Sequence, residues 1–468
     1  MAASTAPATP RGGLFRHPNY LKLWTAATVS LFGTQVSQIA IPFIAAVVLK
    51  ASAGEVGLLT TIEFLPFILF ALPAGVWVDR FPKRRILVIG DLGRALMLIS
   101  IPIASALGSL TIWQLYLVGF VNGAMTVFFD VADQSFLPAI LDRGELVEGN
   151  SKLQISQSSA QILGQPVGGG LVALLSAPVA VLIDAASYFG SAALILWIRL
   201  TSGGARSTGR RSDIARNAAG EAIGDAGTAT SPTAGASLAA ASGDTPVASD
   251  EDGGMRGQIA AGLGYIGHHR FLASIAASTA TSNLFSNIAF AILPVYLYTT
   301  LGLSPASVGA IGGIGGAGVL IGALLASRIA KAFGVGRVIV GSLLLGGLAG
   351  LLVPAAPPEL AFWFVATAFF IGSIAGVVYN VNQVSLRQAI TPEHFLGRMN
   401  ATMRFLVWGT IPIGSLIGAG LSEVIGVHMT IWVGATLGVF SFLPVLLSPV
   451  RSLREIPTDD PDEAATTS

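Results

Sequence analysis

The chain has no cysteine, and only 11% of its 468 residues are charged. The lack of cysteine excludes structural disulfides, thiolate metal sites and cysteine nucleophiles. A soluble chain is about a quarter charged, so this one has too few charged groups to cover a globule in water. Because 53% of the residues are hydrophobic, the composition predicts a membrane protein.

Motifs for catalysis or metal binding are also missing. The five histidines have no metal-ligand spacing and lie mainly in tails and connections. No phosphate-binding loop of the form GxxxxGK[ST] is present, which excludes ATP hydrolysis by that route. We therefore expect no enzyme activity, no cofactor, no metal and no nucleic-acid partner.

Apolar stretches of about 20 residues recur along the chain, as expected for membrane-spanning helices. Twelve spans are predicted, at roughly 22–48, 55–78, 86–107, 112–136, 153–175, 177–198, 271–299, 306–330, 337–356, 360–385, 399–423 and 427–449. Continuous apolar runs favour helices over barrel strands. The predicted fold class is an all-α membrane protein.

The cations indicate how the spans are oriented. With the amino terminus inside, only Lys50 of the 26 lysines and arginines falls on the outer side. This asymmetry follows the positive-inside rule. The first twenty residues lack the apolar core of a signal peptide. We therefore expect a multi-pass protein of the cytoplasmic membrane with both termini in the cytoplasm.

The segment 201–254 differs in composition from the spans. It is rich in Gly, Ala, Ser and Thr and poor in large apolar residues, so it is predicted to be a disordered cytoplasmic linker. It divides the chain into two six-span bundles. The predicted organisation is a cytoplasmic tail, a first bundle, the linker, a second bundle and an acidic tail, at 1–21, 22–200, 201–254, 255–450 and 451–468.

The two bundles show an internal repeat that is consistent in register. At an offset of 250, "GQPVGGGL" at 164–171 aligns with "GSLIGAGL" at 414–421, and Asp130 aligns with Asn380. At an offset of 252, "EVG" at 55–57 aligns with "SVG" at 307–309. Because each half has an even number of spans, the repeat is parallel, with an axis along the membrane normal.

Four stretches of the chain have a recognisable pattern: "GVWVDRFPKRR", residues 75–85, between spans two and three, and, further along, "FFDVADQSFLPAIL", "IDAASYFGSAALI" and "GRMNATMRFLVWGTIPIGSLIGAGL". The first of them resembles the loop motif of the major facilitator superfamily between those two spans. The other three resemble the siderophore-exporter and macrolide-efflux branch of that superfamily. The resemblance implies two six-helix repeats around a central cavity, working by alternating access.

The loop motif supplies the predicted cytoplasmic gate. Gly75, Asp79, Arg80, Lys83 and Arg84 match the motif, while Pro82 replaces its usual second glycine. The resemblance implies that these residues latch the two halves together on the cytoplasmic side. The alternative is that the cations only fix the topology of spans two and three.

Span five carries a second motif that departs from the family pattern. "GQPVGG", 164–169, keeps the glycines of the exporters' "GPxxGG" but moves the proline by one position. The resemblance implies a helix bend built from Gly164, Pro166, Gly168 and Gly169.

Two acids deep in the spans are candidates for proton coupling. An ionisable group inside the membrane is costly and marks a functional position by default. Glu63 lies well inside span two, and Asp184 lies in span six. Each has a structural alternative, hydrogen bonding between helices, which we favour for Asp184. Asp91 and Arg94 are three residues apart on one helical face and are able to pair.

Amides form a polar stripe along several spans. The candidates for lining the cavity are Gln35, Gln38, Gln157, Gln161, Asn283, Asn287, Asn380 and, on span eleven, Arg404. Amides avoid lipid, so these helices are predicted to face the cavity or each other. A single amide is more often a link between helices, and Arg404 is also able to reach the cytoplasmic interface.

Together these features predict a secondary transporter that exports a small amphipathic molecule, such as a drug, siderophore or secondary metabolite, by proton antiport. Its partners would be the substrate, protons and the lipid bilayer, and we expect it to function as a monomer. A nutrient importer of the same fold and a non-transporting membrane receptor or scaffold are the alternatives. Deleting 201–254 would distinguish a scaffold, which should lose its function, from a transporter.

Overall fold

The computed structural model describes residues 14–141, 145–198, 264 and 266–455. Within these ranges, the side chains of residues 71–73, 75–76, 79, 134, 147, 393–398, 400–401, 404–405 and 408 are left undescribed. The predicted linker 201–254 and most of both predicted tails therefore lie outside the described residues.

The described residues form twelve helices of at least 13 residues. In chain order they are α1 (Pro18–Phe43), α2 (Ala53–Arg80), α3 (Lys83–Ala106), α4 (Ile112–Phe136), α5 (Leu146–Leu175), α6 (Ala177–Leu196), α7 (Arg270–Phe290), α8 (Pro305–Phe333), α9 (Val335–Gly350), α10 (Ala361–Ile390), α11 (Glu393–Ile425) and α12 (Val427–Val439). They correspond one to one to the predicted spans, and the all-helical fold class is confirmed.

Most of these helices fit a membrane by length and composition. In the described part of the chain, nine stretches are long and apolar enough to cross a bilayer, and 335–350 and 409–425 are shorter apolar helices. The remaining long helix, α5, has 30 residues and carries the glutamine stripe.

Equivalent irregularities in the two halves confirm the parallel repeat. A π-helical turn follows α1 at Ile44–Val48, and another precedes α8 at Tyr296–Thr300, at the same offset as "EVG" and "SVG". Ser52 caps α2 and Ser304 caps α8, each accepting the backbone N–H of the third residue after it. Both helices thus begin on a serine N-cap, the residue type preferred there.

Helix packing is the same in both halves. In the first half α1 packs against α5 and α6, α4 packs against α2 and α3, and α3 packs against α6. In the second half α7 packs against α11 and α12, α10 against α8 and α9, and α9 against α12. The halves meet where α2 packs against α11 and where α5 packs against α8.

The two ends of the bundle differ in charge. Four cations lie at one end, which we call the cation-rich end, where α2 ends and α3 begins: Arg80, Lys83, Arg84 and Arg85. The opposite, cation-poor end holds Lys50 and the α3–α4, α5–α6, α9–α10 and α11–α12 connections.

The halves are joined at the cation-poor end. One hydrophobic cluster there includes residues of both halves, and the ring of Phe43 meets that of Tyr298 edge to face, with centroids 5.0 Å apart. Toward the cation-rich end, each half has its own cluster, around Leu87 in the first half and Leu272 in the second. The described structure is therefore closed at the cation-poor end, with the halves packed separately at the other.

Candidate functional site

Paired glycines bring α5 onto α1 and α11 onto α7. A side chain at Gly164 or Gly168 would collide with Gln35 or Val36 of α1. In the second half, a side chain at Gly414 would collide with Leu284 and Asn287, and one at Gly418 with Ile288. Small residues allow this close approach of membrane helices. The glycines of the predicted helix-bend motif thus pack the bundle at equivalent places in both repeats.

The rest of that motif contacts the other half. A side chain at Gly169 would meet the backbone of Pro305 and Gly309 on α8, and the Pro166 ring lies against Gly313. Pro166 is inside α5, which continues from Leu146 to Leu175. The motif therefore forms the α5–α8 contact between the halves, while its predicted role as a bend stays a prediction.

A buried ion pair lies inside the first half. The predicted pairing of Asp91 with Arg94 is confirmed, with 2.5 Å between the Asp91 Oδ1 and an Arg94 terminal nitrogen. The residues are 0% and 6% exposed. The guanidinium also lies between two aromatic rings, 4.3 Å from the centroids of Phe129 and Tyr188. This arrangement ties α3 to α4 and α6 through cation–π contacts.

Asp184 lies beside this pair on α6. It is 2% exposed, and its carboxylate accepts a hydrogen bond from Ser187 at 3.3 Å. A side chain at Gly33 of α1 would collide with Asp184 and Ser187, so the glycine lets α1 cover them. The Tyr188 and Thr34 hydroxyls are 2.9 Å apart. Asp184 is thus enclosed between helices of one half, and its structural role and its role in proton coupling both stay predictions.

Two further acids, both on α4, lie near the ion pair. Asp130 is exposed and Asp133 is half-buried, and both lie close enough to Arg94 to interact electrostatically. The helical positions of Asn122 and Thr126 place them on the same side of α4 as the two acids. The first half therefore presents an acidic face next to its buried ion pair.

Glu63 lies on α2, about three helical turns in from Ala53. Its side chain is exposed, and its backbone lies against the closely packed Gly123 of α4. Among the described residues it has no hydrogen-bond or ion-pair partner. An unpaired carboxylate at this depth requires water or a cationic ligand nearby.

The predicted amides occupy two kinds of position. Gln35 and Asn283 are buried or half-buried, and the Asn283 side-chain amide donates to the Thr279 carbonyl of its own helix at 2.9 Å. Asn287 donates to the Asn283 carbonyl in the same way, at 2.7 Å. The exposed amides are Gln38, Gln157, Gln161 and Asn380.

The predicted gate residues are only partly described. Arg84 donates to the Leu196 carbonyl at the end of α6, where a cation stabilises the last carbonyls of a helix. Arg80 is exposed and Lys83 is half-buried. The surroundings of Gly75 and the side chains of Asp79 and Arg404 lie outside the described set. The observed contact of Arg84 is within one half, so its part in a latch between halves stays a prediction.

Two contacts of the site are not predicted from the sequence. Tyr188 stacks on Arg94, and Glu423 contacts the other half. Tyr188 lies one helical turn from Asp184, a spacing that places both on one face. The contact of Glu423 is with a residue 369 positions away, and nothing local in the sequence indicates it.

A twelve-helix bundle of two parallel repeats is an architecture found in secondary transporters. The model of the Major Facilitator Superfamily matches residues 23–267 and 271–467. The chain belongs to this family, and the predicted resemblance is confirmed.

Several curated relatives are transporters or efflux proteins. An uncharacterised MFS-type transporter of Bacillus subtilis is 30% identical over 186 residues, which are 40% of the chain and 43% of that protein. Multidrug efflux pump Tap of Mycobacterium tuberculosis is 24% identical over 89% of both chains. Macrolide efflux protein A of Streptococcus pyogenes is 25% identical over 35% of the chain and 40% of its own length.

Solved structures share the fold. A bacterial homologue of the iron transporter ferroportin, in an inward-facing state, superposes with a TM-score of 0.67 at 14% identity, covering 92% of this chain and 98% of that one. The chain therefore has the transporter fold of its family and is a multi-pass membrane protein.

Proposed function

We propose that the chain is a proton-coupled exporter of a small amphipathic cation in the cytoplasmic membrane, working by alternating access as a monomer. The likeness to the efflux pump Tap along most of both chains supports export. By the positive-inside rule, the cation-rich end faces the cytoplasm. The described state would then be inward-facing, ready to accept substrate from the cell.

The distribution of carboxylates between the two halves supports a cationic substrate. Glu63, Asp130 and Asp133 lie on helices of the first half, on or next to exposed positions. The second half has no Asp or Glu at all between residues 253 and 358 or between 360 and 392. Its helices instead offer the amides of Asn283, Asn287 and Asn380. A path with carboxylates on one wall and amides and apolar groups on the other suits a cation with an apolar body.

Export of ethidium and tetraphenylphosphonium, compared with neutral aromatic compounds of similar size, tests this function. Cells that make the protein should accumulate less of both cations than cells without it, and an uncoupler should abolish the difference. The neutral compounds should accumulate equally in both. Equal export of neutral and cationic compounds would contradict the substrate class, and export that ignores the uncoupler would contradict proton antiport.

The gate proposal concerns Asp79 at the cation-rich end. Asp79→Asn keeps every cation of the loop, and hence the insertion signal, while removing the acid that the family motif uses at the latch. We expect transport to fall while membrane abundance stays near that of the wild type, measured by vesicle transport and immunoblotting. Full activity in this variant would leave the loop with only its topological role.

A further inference from the structure

The two contacts between the halves at the cation-poor end are chemically different. Between α5 and α8, glycines pack backbone on backbone, with Gly169 against Pro305 and Gly309. Between α2 and α11, Gly57 packs on Ala419, and a carboxylate, that of Glu423, reaches across to Gly54. Of the residues named in these two contacts, only Glu423, in the contact between α2 and α11, is charged.

The Glu423 carboxylate completes the first turn of α2. The backbone N–H of Gly54 donates to its Oε1 at 2.9 Å. Gly54 is the second residue of α2, where backbone N–H groups have no acceptor within the helix. The backbone N–H groups of Ser52 and Glu55 are satisfied locally, because these two residues form a capping box with bonds of 2.8 and 3.2 Å. The Ser52 hydroxyl is also within hydrogen-bonding reach of Glu423.

The sequence at Gly54 suits this contact. A side chain there would collide with the carboxyl group of Glu423, so glycine leaves the space that the acid fills. The partial positive charge at a helix N-terminus favours a carboxylate, and a hydrogen bond to a charged group is stronger than one between neutral groups.

The repeat shows that the fold does not need this acid. At the offset that aligns Gly164 with Gly414, position 423 corresponds to Ala173 on α5, and α8 begins on Ser304 with Ser307 in place of Glu55. The same helix start thus forms in the second half without a carboxylate in the corresponding place. Glu423 is therefore a feature of the contact between the halves rather than of the helix bundle.

We propose that Glu423 is the latch of the cation-poor gate, a positioning residue whose carboxylate binds the N-terminus of α2 only while this end is closed. When the halves separate here, Gly54 and Glu423 move apart and the carboxylate enters water. A contact made in one conformation alone stabilises that conformation and shifts the population toward it. Glu423 thereby biases the transporter toward the state that is open at the cation-rich end.

The absence of cysteine makes a direct test possible in the full chain. Ser109→Cys on the α3–α4 connection and Ala355→Cys on the α9–α10 connection place two spin labels at exposed sites of the cation-poor end. Double electron–electron resonance in lipid nanodiscs then gives the distance distribution between the halves. This readout needs no substrate, so it is independent of the proposed export function.

We expect Glu423→Ala to raise the ratio of long to short distances about tenfold, the effect of losing a charge-assisted hydrogen bond at a helix N-terminus. Glu423→Gln keeps an acceptor for the Gly54 N–H but loses the charge, so its shift should be smaller. The control is Glu359→Gln, which removes the same charge from an exposed site at the same end and should leave the distribution unchanged.

Gly54→Ala gives a second measure, since its methyl group would displace the carboxylate while Glu423 itself remains. It should also lengthen the distances. Unchanged distributions in Glu423→Ala and Gly54→Ala would overturn the latch, as would a shift of equal size in Glu359→Gln.

Discussion

Glu63→Gln is expected to abolish proton-driven efflux while leaving substrate binding in place. Proton antiport requires at least one group within the membrane that gains and loses a proton as access changes sides. Glu63 is exposed, lies about three helical turns inside α2, and has no partner among the described residues. Glutamine keeps the size and the hydrogen-bonding ability of the side chain but cannot release a proton.

The physical reason is the cost of an unpaired carboxylate away from water. In the proposed antiport, water would reach Glu63 while the cation-rich end is open and would accept its proton there. When that end closes without substrate, the side chain has no counter-ion among the described residues and must carry a proton. Release of the proton at the cation-rich end and uptake of another at the opposite end would couple proton movement to substrate export, with substrate bound elsewhere in the path.

Two assays separate coupling from binding. In proteoliposomes, Glu63→Gln should lose transport driven by a pH gradient but keep the exchange of labelled for unlabelled substrate, which requires no net proton movement. Asp184→Asn is the matched variant, because it removes an acid enclosed within the first half. Uncoupler-sensitive export at the wild-type rate in Glu63→Gln would place the carrier elsewhere, with Asp184 the next residue to test.

The sequence predicted those features that depend on local spacing. Twelve apolar runs correspond to the twelve helices, and the offset found from the short matches "EVG" and "SVG" is also the offset between the two π-helical turns. The three-residue spacing of Asp91 and Arg94 predicted their ion pair. In each case the relevant residues are close in sequence or related by the repeat.

Features that depend on packing between distant helices were not predictable. The stacking of Arg94 between Phe129 and Tyr188 joins three helices, and Glu423 reaches a residue of the other half. Nor does the sequence indicate which end is closed, because the proposed alternating access would give one sequence two packings. The glycines at 164–169 illustrate the same limit. Their spacing predicts that α5 approaches another helix closely, but it does not predict which helix that is.

The asymmetry between the halves follows from these contacts. The acids and the buried ion pair of the described membrane helices belong mainly to the first half, whereas the second supplies amides and, at the cation-poor end, Glu423. In the proposed cycle, movement of the charged first half against the more apolar second half would keep Glu63 and Asp184 in one body.

Arg94→Met is expected to destabilise the protein by about 3–5 kcal/mol, the cost of leaving one member of a buried ion pair without its partner. Asp91 is 0% exposed, so its charge would have no access to water once the guanidinium is removed. The loss of both cation–π contacts adds to the effect. The thermal midpoint in detergent, followed by size-exclusion chromatography of heated samples, should fall well below that of the wild type.

Further variants show how much of the loss of stability is due to the unpaired charge of Asp91. The double variant Arg94→Met with Asp91→Asn removes both charges and should recover much of the lost midpoint. Arg94→Lys keeps the charge but not the planar group between Phe129 and Tyr188, so its midpoint should lie between those of the wild type and Arg94→Met. If the double variant were no more stable than Arg94→Met, the charge of Asp91 would not be the cause. The packing of the arginine between its two rings would then be what holds α3, α4 and α6 together.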